Sequence, residues 1–376
     1  MDPRFTDEQN LLRSSARDFL AKECPMAFVR EMMDHPRGTT EEFWQSIAGL
    51  GWTGLIHGEG LGGAGLGLVD LCVLMEECGR ALMPGPFFST IAGALAVTVG
   101  ARAEQREKLV PAIAAGTGRV ALAQLEDSGS WGRDGITLGL QPEGDGFRLS
   151  GAKRFVGGAQ SADTVVVAAC AGDDDRIVLV LVDTDAAGVR VEPTDYTDAT
   201  RKLATVHLDG VVIEPDAILG APDAEAWPVL ERVNDFAKVA LCAEMIGGAQ
   251  AVLDLSVEYA KTREQFGSPI GKFQAIQHKC SNMLVLVESA KSAAYYAAWA
   301  IENAEPDAHV SACMAKAYCA EAFSRVAADG IQIHGGMGFT WEADLHLYYK
   351  RAKAAELAFG SPAFNREQAA KHLLDG

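Results

Sequence analysis

Along the chain the spacing of apolar residues changes period twice. From Asp7 to about Gly118 they recur every three or four positions, as in Phe43, Ile47 and Leu50 and again in Val73, Leu74 and Leu82, which predicts helices. Between about Arg119 and Leu219 the texture becomes short β-branched runs, TVVVAAC, IVLVLV, GVRVEP and TVHLDGVVI, separated by turn-forming residues. Such runs predict an antiparallel sheet or small barrel, with Asp173, Asp174 and Asp175 as a solvated hairpin loop. From Ala226 the helical period returns in four long runs, about Trp227 to Thr262, Phe273 to Ala304, Asp307 to Gly330 and Trp341 to Ala358, which predict an antiparallel four-helix bundle. The expected fold is therefore a multidomain α+β chain: an N-terminal helical domain over residues 1–118, a central β domain over 119–222 and a C-terminal four-helix bundle over 223–376. No internal repeat or low-complexity segment interrupts this order.

Composition narrows the function classes. The 376 residues, 48% of them hydrophobic, can fill the cores of two or three domains. A net charge of -18 argues against a nucleic-acid partner, since phosphate backbones are gripped by clustered Lys and Arg. A local patch such as Lys261, Arg263 and Lys272 still leaves room for a phosphorylated small molecule. The eight cysteines are dispersed, with no CxxC pair and no Cys/His zinc spacing, so no metal site is expected and they read as small apolar residues in a reducing cytoplasm. The N-terminus reads as an amphipathic helix rather than a leader, and no run of eighteen charge-free apolar residues suggests a membrane span.

Motifs carry more. Gly58-Glu59-Gly60-Leu61-Gly62-Gly63 has the GxGxxG form but lies between helices, without the βαβ setting of a dinucleotide site, and reads as a tight turn. No GxSxG, HExxH or P-loop motif occurs. In the segment from Ser256 to Lys279, Arg263 ends one helical run, Phe266-Gly267 breaks it, and Phe273-Gln274 opens the next. An Arg at such an end can grip a pyrophosphate bidentately beside the apolar wall of a Phe; an ordinary helical hairpin with an exposed Arg would have the same pattern. Gln332-Ile333-His334-Gly335-Gly336-Met337-Gly338 follows a helix, and its glycines allow close backbone approach to an anion or simply a helix connection.

Together, some seventy residues apart, these two elements resemble the paired cofactor motifs of the acyl-CoA dehydrogenase family. The resemblance runs nearly the full length: Phe5-Thr6-Asp7-Glu8-Gln9, the Gly62 to Gly67 turn, the Lys108 to Gly116 link, and Gly151-Ala152-Lys153-Arg154-Phe155-Val156-Gly157 in the β region. Leu125-Glu126-Asp127-Ser128-Gly129-Ser130 keeps the corresponding family loop poorly, and Gly157 replaces a Thr. The resemblance implies an oligomer (a homodimer, a homotetramer or a heterotetramer with a related subunit) with FAD at a subunit interface, an acyl-CoA substrate and an electron-transferring flavoprotein as acceptor. Leu125, Ser130, Phe155 and Gly157 would surround the isoalloxazine. Arg263, Gln265, Phe266, Gln274, Gln332, Gly335 and Gly336 would hold the pyrophosphate and adenosine across the interface. His334 reads as structural, with a cofactor contact open to it.

The family's reaction takes an α proton from the thioester with a carboxylate while the β hydrogen leaves as hydride. Where most members carry that carboxylate this chain has Phe359, and at the alternative family position it has Ala237. Glu244, two helical turns after Ala237 in the apolar stretch VALCAEMIGGA, is the candidate base; its other reading is a structural hydrogen-bond partner. Asp235 and Glu356 are weaker candidates. Three functions are therefore expected from the sequence: a dehydrogenase with a displaced base or a partner subunit, a non-catalytic subunit of a heteromeric dehydrogenase, and a flavin monooxygenase on the same scaffold.

Overall fold

The computed structural model describes residues 4–172 and 175–375. Of the expected acidic hairpin loop, Asp173 and Asp174 lie outside the described residues. In chain order the first helices are α1 (Asp7–Glu23), α2 (Met26–Asp34), α3 (Glu41–Gly49), α4 (Leu68–Arg80), α5 (Phe87–Gly100) and α6 (Ala103–Ala114). Strands β1 (Val120–Ala123), β2 (Gly139–Glu143), β3 (Gly146–Gly157), β4 (Thr164–Ala171), β5 (Arg176–Asp183), β6 (Val189–Pro193) and β7 (Leu203–Ile213) follow. Then come α7 (Trp227–Thr262), the two-residue strands β8 (Glu264–Gln265) and β9 (Ser268–Pro269), α8 (Gln274–Glu302), α9 (Ala308–His334), α10 (Leu345–Leu357) and α11 (Pro362–Asp375).

The contacts divide the chain into two compact units, neither continuous in sequence. One comprises residues Glu31–Gly67 and Pro84–Asn234, the other Met1–Arg30, Leu68–Met83 and Asp235–Gly376.

The first unit is built on a seven-stranded sheet in the order β1-β4-β2-β3-β7-β6, with β5 also paired to β4. β4 is buried along nearly its whole length, which is why TVVVAACA is a continuous apolar run rather than an alternating one. One edge of β4 takes β1 at Thr164 to Val167 and β2 at Cys170 to Ala171, both parallel, while the other edge takes β5 antiparallel. The antiparallel sheet expected from sequence is thus a mixed one. The reason lies in the connections: β2 and β3 are threaded between β1 and β4, giving the long crossover that parallel pairing requires. Leu140, Leu149, Val165, Val167, Val178, Val180 and Val206 form its core. Helix α5 lies directly on β1, where a Cβ on Gly93 would meet the Val120 carbonyl oxygen at 2.4 Å. The GxGxxG segment is the expected turn. The amides of Leu61, Gly62 and Gly63 bond back to Gly58, Glu59 and Gly58, so these three donors are consumed within it.

In the second unit, α1 starts with a reciprocal capping box between Thr6 and Gln9. Two buried glutamates of α4 tie in its neighbours: Glu77 takes a bidentate pair from Arg17 of α1 (2.9 and 2.7 Å), and Glu76 accepts from Tyr295 (2.7 Å) and Lys291 (2.9 Å) of α8. α4 and α7 cross at glycines. A Cβ on Gly79 would lie 1.9 Å from the Glu244 carbonyl oxygen, and one on Gly247 would lie 1.7 Å from that of Glu76. Helix α7 is long and apolar enough to cross a membrane by length and composition, but 89% of its most apolar window is buried in the fold, as befits a core helix. The four expected helices are present, the fourth beginning at Leu345 rather than Trp341, and α11 packs on α9 as a further one.

Candidate functional site

The two motifs singled out in the sequence converge at the ends of α7 and α9. β8 and β9 form a two-residue hairpin whose corner residues, Phe266 (φ 54°) and Gly267 (φ 75°), are both left-handed. Glycine adopts that conformation freely, but a phenylalanine pays for it, and this one is 94% exposed, with its ring edge-on to Phe273 at 5.9 Å between centroids. Arg263, Gln265 and Gln274 are exposed around the same hairpin. Across from it, the His334 ring stacks on Tyr259 of α7 at 4.1 Å between centroids, and His334 Nδ1 lies 2.9 Å from the Gly330 carbonyl. A carbonyl can only accept, so Nδ1 carries the proton and the ring braces α7 against α9. Gln332, Gly335 and Gly336 are exposed beside it, and a Cβ added to either glycine meets nothing within 4 Å. These glycines are not required by packing; they leave open space in front of the backbone.

The residues expected around a flavin ring lie in the sheet unit. Phe155 is half exposed with φ 52°, at a bulge between Lys153 and Val156 of β3. Leu125 is buried and its carbonyl accepts the Arg154 amide (2.8 Å). The Ser130 hydroxyl donates to Asp134 (3.0 Å). At Gly157 a Cβ would come within 3.3 Å of Ser89 Cβ, so Ser89 fills part of the room a larger side chain would need. This loop is held by a feature the sequence did not reveal: Lys153, wholly buried, donates to the Gln124 carbonyl (3.1 Å) and to Glu126 (2.6 Å). Burial alone would raise the Glu126 carboxyl, but its bonds from Lys153 and Thr137 outweigh it and hold it below its ordinary value.

The candidate bases are all engaged. Phe359 is buried, left-handed (φ 55°), and its carbonyl accepts from Asn365 (3.2 Å). Ala237 is buried as well. Glu244 is 4% exposed and receives Arg351 Nη1 at 2.6 Å, from a guanidinium itself 2% exposed. The structure thus places Glu244 in a buried ion pair, the arrangement of a structural partner. Glu356 accepts from Ser324 (2.7 Å) and Lys353 (2.5 Å), and Asp235 from Lys238 (3.0 Å) and His309 (2.7 Å). Arg351 was legible as an anomaly, a charge on the face that otherwise carries Leu347, Tyr348, Ala352 and Ala355, all buried.

Sequence models for the acyl-CoA dehydrogenase N-terminal, middle and C-terminal domains match residues 6–117, 126–211 and 227–374. The chain belongs to the acyl-CoA dehydrogenase family. It is 32% identical over 357 residues to the acyl-CoA dehydrogenase IpdE2 of Mycobacterium tuberculosis, covering 95% of this chain and 94% of that protein. It is 35% identical to the acyl-CoA dehydrogenase FadE34 of the same organism, covering 92% of this chain but only 45% of FadE34. Among solved structures, a variant of the Tcur3481-Tcur3483 steroid ACAD superposes with a TM-score of 0.88 at 31% identity, covering 98% of each chain. The acyl-CoA dehydrogenase family comprises FAD-binding oxidoreductases acting on CH-CH donors, and this chain is one by sequence and fold. At the α7 and α9 ends its residues fit that cofactor: an exposed guanidinium and amides suit a pyrophosphate and adenosine, and the open glycines give them room. In the sheet unit Phe155 offers a ring face, while the polar groups of Leu125 and Ser130 named above are bonded within the chain.

Proposed function

We propose that this chain is one half of a two-component acyl-CoA dehydrogenase, holding FAD while a related subunit supplies the carboxylate that takes the α proton of the thioester. The reading is supported by the burial of Phe359, which the resemblance aligns with the family's base, together with the buried pairing of Glu244 with Arg351. A base must reach the proton it removes and be free to accept it. Neither Phe359 nor Ala237 can accept a proton, and Glu244 would have to give up its buried ion pair with Arg351 to do so, at a cost of about 3–5 kcal/mol. Bound FAD supplies the hydride acceptor. The chain's own part is to hold and orient: Arg263 and Gln265 on the pyrophosphate, Gln332, Gly335 and Gly336 at the adenosine end, and Phe155 against the ring.

Two findings about relatives support the pairing. The match to FadE34 leaves more than half of that protein over, enough for a second unit of this size. The steroid ACAD carries a double name, Tcur3481-Tcur3483, and its substrate class makes a steroid-derived acyl group the first to try here. An electron-transferring flavoprotein is the proposed acceptor.

The test is an anaerobic titration with CoA thioesters ranging from short fatty acyl groups to steroid side chains, following loss of flavin absorbance. The chain is purified alone and after co-expression with a family member that retains a carboxylate at a base position. Bleaching by the pair and none by the lone, FAD-loaded chain is the expected result. Full bleaching of the lone chain would overturn the proposal, and its loss in Glu244→Gln would then restore Glu244 as the base.

A further inference from the structure

Asp235 and Lys238, one turn apart on α7, face His309 and Cys313, one turn apart on α9. Asp235 Oδ2 lies 2.7 Å from His309 Nδ1, and Oδ1 accepts from Lys238 Nζ at 3.0 Å. The far nitrogen of the same imidazole, Nε2, lies 3.8 Å from Cys313 Sγ, and Lys238 Nζ lies 3.4 Å from that sulfur. One carboxylate thus orients both an imidazole and an ammonium onto a single thiol. The order of groups is that of a carboxylate-imidazole-nucleophile relay, in which the acid fixes the imidazole and the imidazole faces the nucleophile.

The geometry lets the thiol proton pass to the imidazole without changing the net charge of the buried cluster. With the proton on sulfur, Lys238 and Asp235 cancel; with the proton on His309, the sulfur and the imidazolium add one charge of each sign, and the cluster stays neutral. A low-dielectric interior penalises net charge far more than a compact neutral set of ions. The sulfur also accepts from both cations in that state, and hydrogen bonds to charged donors are the stronger kind. The bond to Asp235, then that to Cys313, push His309 up to about 10, in keeping with an imidazolium held between them. The other ionisable groups nearby are Lys316, which acts on Lys238 from one turn further along α9, and His372 of α11, whose ring lies 5.4 Å from that of His309.

We propose that Cys313 is a peroxide-reactive thiol, activated by Asp235, Lys238 and His309 and oxidised by hydrogen peroxide to the sulfenic acid. The sulfur attacks one peroxide oxygen, the O-O bond breaks, and the departing hydroxide takes the His309 proton and leaves as water. Sulfur loses two electrons and the peroxide gains them; Asp235 and Lys238 remain as a neutral pair around the Cys-SOH. Cys313 is fully buried, while His309 is only partly covered and His372 is exposed, so the route proposed for peroxide to the sulfur passes by these two rings. This inference is independent of the flavin site and of the two-component reading.

Exposure and electrostatics pick different cysteines, which makes the idea testable. Cys280 is the partly exposed one; the other seven are buried. Burial raises the Cys280 thiol, and it pushes Cys24 up to about 12. Purified holoprotein is treated with limiting hydrogen peroxide and dimedone, and the adducts are located by peptide mass spectrometry, with far-UV circular dichroism and flavin content as controls for folding. The adduct is expected on Cys313 ahead of Cys280, and its formation should slow about tenfold or more in His309→Gln and in Lys238→Met. Labelling of Cys280 alone, or a Cys313 rate unchanged in His309→Gln, would overturn the proposal. Because His309 is partly exposed, its variant carries the test even where replacement of the buried Lys238 prevents folding.

Discussion

Replacing Arg351 with Met tests the reading of Glu244 most directly. Glu244 and Arg351 meet at 2.6 Å with side chains 5% and 2% exposed, so neither charge can turn to water when the other is removed. A buried pair stripped of one partner loses about 3–5 kcal/mol, because the remaining charge stays desolvated and loses its counter-charge. Arg351→Met and Glu244→Met should each lose that much. The double variant should regain most of it, since two thioether side chains of similar volume fill the space with no charge left to solvate. The measurement is a double-mutant cycle by guanidinium denaturation, following far-UV circular dichroism through the transition that carries the helical unit. A Glu244→Met protein as stable as the wild type to within about 1 kcal/mol would refute the structural role. It would leave the charge at Glu244 without a purpose in the fold and return it to the catalytic question.

Two further outcomes follow from geometry already described. At the crossing of α4 and α7, Gly79→Ala places a methyl 1.9 Å from a backbone oxygen and should destabilise by about 3 kcal/mol or more, whereas Gly336→Ala, with nothing within 4 Å, should leave the melting curve unmoved; thermal scans of the two variants decide it. In the sheet unit, Glu126 has its carboxyl held below its ordinary value in the folded state, so its contribution is present above the unfolded value of 4.5 and is lost as pH falls through the lower folded one. Acid titration should therefore destabilise the wild type more steeply below about pH 4.5 than Glu126→Gln, and parallel acid curves would contradict the argument.

Much of the architecture was legible because periodicity is a local property. The long helices of the second unit and the strands show themselves in runs of a dozen residues or fewer, as does the glycine loop after α9. Pairing is not local. That β1 and β2 share one edge of β4 depends on a crossover that passes through two other strands, and no window of sequence contains it. The same limit hid the partners of the candidate site. Glu244 was visible as a charge in an apolar helix, but its counterpart lies 107 residues away. Asp235, a helix-start residue in sequence, meets His309 across 74 residues and gains a thiol neighbour that no motif announced. Phe359 was picked out through the resemblance at a single position, and the structure adds that it is buried and left-handed.

The helical unit draws α1 and α4 from the first part of the chain and everything after Asp235 from the last, with most of the sheet unit inserted between them. On a ribosome this order has a consequence in time. Helix α4, buried at Leu71, Cys72, Val73, Leu74 and Met75, leaves the exit tunnel well before α7. The roughly 150 residues between Met83 and Asp235 take about 8–30 s to synthesise at ~5–20 residues per second. Through that interval α4 has α1 but lacks α7 and α8, on which it also packs, while the strands of the other unit have already emerged. The glycine crossing that locks α4 to α7 is thus a late event in the life of the chain, and α4 is the buried helix with the longest wait for its last partners and the greatest need of a chaperone's shelter.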